Sequence, residues 1–99
     1  MKKYLIYLFF SFILSQNAPV SDPGLDQIVM LGASVQLDGS GSFDLDGDDL
    51  TYEWVSPDNI TLLDATSFNP SFIASDNIDT LTFTLTVTDE GGLSSEEYP

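Results

Sequence analysis

The stretch TLTFTLTVT, residues 80–88, alternates apolar and threonine side chains without a break. Leu81, Phe83, Leu85 and Val87 fall on one side of an extended chain; Thr80, Thr82, Thr84, Thr86 and Thr88 fall on the other. A period of two is the period of a β-strand. One apolar face and one hydroxyl face describe an antiparallel strand packed on a core on one side and wetted on the other. Threonine suits the wet face, because β-branched side chains fit a pleated surface.

Outward from this strand the same period recurs in shorter runs. LTYEWV (50–55) sets Leu50, Tyr52 and Trp54 against Thr51 and Glu53, and ASVQLD (33–38) sets Val35 and Leu37 against Ser34 and Gln36. QIVML (27–31), closed by Gly32, reads as a first strand; ITLL (60–63) reads as a short edge strand and PSFIA (70–74) as another. Residues 57–59 read as a turn. No stretch after residue 16 has helical periodicity. Short strands separated by turn signals make the chain all-β, an antiparallel sandwich of the immunoglobulin-like kind. Trp54, in alternation with Leu50 and Tyr52, is expected between the sheets. The Tyr52 hydroxyl needs a polar partner wherever the ring is buried.

The N-terminus differs in character. Lys2 and Lys3 precede YLIYLFFSFILS (4–15), an apolar run shorter than the about 20 residues a membrane-spanning helix needs. A basic start, a short apolar core and small polar residues after it describe a secretory signal peptide over residues 1–16. Cleavage is expected after Ser15 or Gln16, with a retained anchor as the alternative, and the folded domain then occupies 17–99. The expected location is secreted or cell surface.

Charge narrows the functions open to the chain. It has 99 residues, with 16 acids against 2 bases and a formal charge of -14, and both bases lie in the leader. Nucleic-acid binding depends on lysine and arginine at phosphates, and none remains after processing. Anionic membranes are excluded on the same ground. Without cysteine there are no disulfides and no thiolate ligands, and without histidine the usual general base is missing. Two carboxylates can hydrolyse glycosides, but no pair here is singled out for it, so no catalytic residue is assigned. A domain of roughly 80 residues is also near the lower limit for a self-sufficient core.

The acids concentrate in GSGSFDLDGDDLTYEW, residues 39–54, where Asp44, Asp46, Asp48 and Asp49 are followed by Glu53. Carboxylates two residues apart, with a glycine to turn the backbone, gather oxygen ligands around a hard cation such as Ca²⁺. Clustered carboxylates with no basic partner repel one another, and a divalent ion relieves that. The loop is not an EF-hand: counting from Asp44, Asp49 stands where glycine is required and Val55 where a bidentate glutamate is required. The other reading is a solvated loop whose aspartates form turns by bonding the local backbone.

Taken in order, NAPVSDPGLDQIVMLGASVQLDGSGSFDLDGDDLTYEW, ATSFNPSFIA and LTFTLTVTDEGGLSS closely resemble the PKD-like, immunoglobulin-like repeats of secreted and cell-surface proteins. The match runs from Asn17 to Ser95. The resemblance implies a β-sandwich module used as a spacer or adhesion element, seldom as a catalyst. Repeats of this kind that bind calcium do so where the N-terminus, the Asp-x-Asp loop and the Asp after the long strand converge. On this chain those positions are Asn17, Asp44, Asp46 and Asp89. The expected partners are neighbouring domains or an extracellular protein or polysaccharide. The chain departs from the pattern at its end, where a last strand is truncated to Leu93–Tyr98. It is either a piece of a larger protein or an edge completed by another strand. The alternative function is a carbohydrate- or peptide-binding face on the threonine side, which an exposed Phe68 or Phe72 would favour.

Overall fold

The computed structural model describes residues 17–57, 60–74 and 80–95. The expected signal peptide and its cleavage point, the tip of the 57–59 turn and the end of the expected last strand lie outside the described residues. Among the described residues four strands form: β1 (Ser34–Gln36), β2 (Thr51–Val55), β3 (Ser71–Ile73) and β4 (Thr84–Thr88). They pair as two antiparallel sheets, β1 with β3 and β2 with β4. Val35 faces Phe72 in the first sheet and Trp54 faces Leu85 in the second. No helix among the described residues is long and apolar enough to cross a membrane.

The core is what the alternation predicts. Val35 and Phe72 from the first sheet, with Leu37 just after β1, meet Trp54, Leu85 and Val87 from the second, and Ile60 completes the cluster. Ser34, Gln36, Thr51 and Glu53 are exposed. Leu81 and Phe83 are half-buried against the same cluster, and the Phe83 ring lies 4.9 Å from that of Phe72. The long alternating run thus serves the core over its whole length, although only Thr84–Thr88 is laddered, because β2 supplies five partner residues.

Two expected strands are corrected. Residues 27–31 form no ladder. Beside them the Gln36 carbonyl of β1 accepts the Gln27 side-chain amide at 2.9 Å, where a backbone partner would otherwise sit. Four apolar residues in succession commit neither face to a core, and Ile28 (103 %) and Met30 (82 %) stand in solvent. In ITLL only Leu63 pairs, across a single bridge to Ser71, while Ile60 turns inward. Residues 93–95, where the last strand is expected, fold back on the edge of β4 away from β2. Thr88 bridges Ser94, and the Ser95 N–H donates to the Val87 carbonyl at 2.8 Å.

Gly39 sets how closely the sheets approach. A Cβ there would lie 2.9 Å from Leu85 Cδ2 and 3.0 Å from Trp54 Cζ2. Gly39→Ala is expected to cost about 1–3 kcal/mol by overpacking, measured by urea denaturation. An unchanged midpoint would show slack in the core at this point.

Candidate metal centre

The acidic loop is shaped by its own first residue. The Asp46 N–H donates to Asp44 Oδ1 at 2.7 Å, and the Gly47 N–H donates to the Asp44 carbonyl at 3.1 Å. Gly47 takes the left-handed conformation that closes this turn (φ 77°), which a residue without a Cβ adopts freely. The turn brings one carboxylate oxygen each from Asp44, Asp46 and Asp48 within 4.8 Å of one another.

The N-terminal segment is held against the loop by a pair of backbone hydrogen bonds. Val20 and Phe43 exchange N–H to carbonyl contacts at 2.8 and 3.0 Å. That pairing delivers the Asn17 N–H to Asp46 Oδ2 at 2.9 Å. Asn17 therefore meets the site as a main-chain donor. Asp89 arrives from the other direction, at the end of β4. It is buried (6 % exposed), and its Oδ1 accepts the Leu93 N–H at 2.9 Å.

The second oxygens of Asp89 and Asp44 are the informative atoms. Both are buried and neither has a hydrogen-bond partner. Buried polar atoms are almost always paired, so each exception needs an explanation. Asp48 registers the crowding: partial desolvation, and then the charges of Asp44, Glu90, Asp89 and Asp46, push its carboxyl above the usual range. A raised carboxyl pKa in the folded state is a penalty that appears as pH rises past it, and protons or a cation relieve it. Among the described residues there is no lysine or arginine to supply that cation.

Asp44 and Asp46 stand together with Asp48, and Asp89 acts on Asp48 through its charge. Asp48, which the resemblance does not imply, joins Asp44 and Asp46 in this group, and its place two residues after Asp46 is the same spacing signal. Asp49 is exposed and stands outside the cluster.

A family model for the K319L-like PKD domain matches residues 23–98. The chain belongs to the K319L-like PKD domain family. PKD domains are typically non-catalytic modules of extracellular or surface proteins. The match spans Asp44, Asp46, Asp48 and Asp89 and leaves Asn17 outside it. A solved structure, a nucleoside hydrolase-related hypothetical protein from Saccharophagus degradans described as associated with carbohydrate metabolism, shares the fold. Its TM-score is 0.68 at 23 % identity, over 86 % of this chain and 25 % of that one. The PKD domain thus spans about a quarter of that protein's length. No curated protein sequence matches the chain.

The threonine face of the PKD domain offers a different chemistry. Thr51, Glu53, Thr66, Thr86 and Thr88 line an open groove over the β2–β4 sheet. Phe72, expected as an aromatic platform if exposed, is buried at 5 % against Phe83, so it belongs to the core. Phe68 is 46 % exposed, with its ring 6.4 Å from Tyr52.

Proposed function

We propose that this PKD domain is an exported, non-catalytic structural or adhesion module stiffened by Ca²⁺ at the loop formed by Asp44, Asp46 and Asp48 together with Asp89. The observation that supports it is the pair of buried, unpartnered oxygens on Asp44 and Asp89, the first grouped with Asp46 and Asp48 and the second bearing on Asp48 through its charge. A hard cation that takes about 6–8 oxygen ligands uses such atoms and cancels their repulsion. Asp44, Asp46, Asp48 and Asp89 would hold it, while Asn17 ties the incoming chain to Asp46 through its N–H. The site would join the start of the domain, the acidic loop and the end of β4. Such a joint suits a spacer between neighbouring domains, or an adhesion element that presents its outer faces to an extracellular protein or polysaccharide.

The test separates ligation from screening, since any salt stabilises so acidic a chain. Thermal unfolding is followed in CaCl₂, in NaCl of matched ionic strength and in MgCl₂, because Mg²⁺ demands tighter octahedral geometry and dehydrates reluctantly. Calcium is expected to raise the midpoint beyond both controls, and Asp46→Asn to weaken that rise. Identical curves in calcium and matched NaCl would leave the loop as a solvated turn.

A further inference from the structure

The chain contains two aspartyl–glycyl bonds, Asp38–Gly39 and Asp46–Gly47. At such a bond the glycine nitrogen can attack Cγ of the preceding aspartate, because no Cβ on the glycine hinders its approach. The N–Cγ bond forms, the hydroxyl of the protonated carboxyl leaves with the amide proton as water, and a five-membered succinimide results. Water then reopens the ring. Opening at the former backbone carbonyl routes the main chain through the side chain and leaves isoaspartate, with one water lost and one regained. The ring closes only where the backbone can rotate.

The fold treats the two bonds differently. The Gly39 N–H donates to the Phe68 carbonyl at 2.7 Å, and Gly39 is buried against Leu85 and Trp54. The Asp38 carboxylate is occupied as well, accepting the Ser40 N–H at 2.9 Å, and hydrogen bonds from Ser40 hold it below its usual range. Gly47 is exposed, with no atom beyond its two chain neighbours within 4 Å of where its Cβ would stand, and its N–H bonds within its own turn. The Asp46 side chain is exposed, tied at the surface by the Asn17 N–H. Freeing Asp46–Gly47 requires that one turn to open, whereas freeing Asp38–Gly39 requires the two sheets to separate around Trp54. Local openings of the first kind are far more populated than openings that breach a core.

We propose that Asp46–Gly47 is a site of spontaneous isoaspartate formation and that the fold protects Asp38–Gly39 from the same reaction. The product lengthens the main chain by one methylene between Asp44 and Asp48 and moves the Asp46 carboxylate onto Cα. That alters the spacing on which the acidic cluster depends. The reaction needs no metal, so it stands or falls independently of calcium binding.

The experiment incubates the full chain in EDTA at physiological temperature over weeks. Isoaspartate at each position is then quantified by peptide mapping with electron-transfer fragmentation, beside a urea-unfolded sample. In the folded chain, isoaspartate at 46 is expected to exceed that at 38 by about tenfold or more, as separate local stabilities imply. The unfolded sample should show both sites at comparable levels. Asp46→Glu, which would need a six-membered ring, should abolish the signal at 46 with circular dichroism unchanged. Equal accumulation at 38 and 46 in the folded chain would overturn the proposal. So would its absence at 46 when the unfolded sample shows it.

Discussion

Trp54→Ala is expected to destabilise the domain by about 3–5 kcal/mol, the range for removing a large aromatic side chain from a packed core. The ring is 4 % exposed and sits in the cluster shared by the two sheets. Its Nε1–H donates to the Ser67 carbonyl at 3.0 Å, and its backbone N–H donates to the Ala65 carbonyl at 3.0 Å. These contacts fasten the 64–67 turn over β2. Truncation to alanine leaves a cavity beside Leu85 and deprives the Ser67 carbonyl of its donor. Small domains hold about 5–15 kcal/mol of stability in total, so the loss takes a large share of it, and a domain at the low end of that range unfolds. Trp54→Phe separates the contributions. It keeps most of the ring and loses the donor, so about 0.5–1.5 kcal/mol of its cost belongs to the hydrogen bond. Urea denaturation followed by circular dichroism reads both variants. A Trp54→Ala midpoint equal to that of the unmodified chain would place the ring outside the core.

Asp89→Asn is expected to change the sign of its effect with calcium. In EDTA the variant keeps an oxygen to accept the Leu93 N–H and removes one of the charges that bear on Asp48. It should then be slightly more stable than the unmodified domain. With calcium a hundredfold above its dissociation constant, the unmodified domain gains about 2.7 kcal/mol from binding the folded state alone. Replacing a charged ligand by a neutral one should remove most of that gain, so the order of stabilities reverses. Melting curves of both proteins in EDTA and in calcium are sufficient. Parallel shifts in the two proteins would show that the buried Asp89 oxygen has no part in binding a cation.

Much of the fold was legible in side-chain order alone. Alternation placed Val35, Leu37, Trp54, Leu85 and Val87 inward and the serines, threonines and glutamate between them outward, because the two-residue period of a strand is a local property. The Asp44–Asp46–Asp48 spacing was equally local: one turn, closed by Asp44 and Gly47, gathers those carboxylates. The tertiary structure decided whatever depends on a partner distant in the chain. QIVML has the composition of a strand but no ladder, since pairing needs a free edge in register. Phe72 lies in the core rather than on a binding face because Phe83, on the segment that leads into β4, packs against it. Asp89 reads in the sequence as an acid after a strand. Its burial, its half-satisfied carboxyl and its action on Asp48 arise only when β4 is laid beside β2 and residues 93–95 close over its end. Desolvation and Coulomb interaction depend on distance in space, and a linear chain specifies that distance only after it has folded.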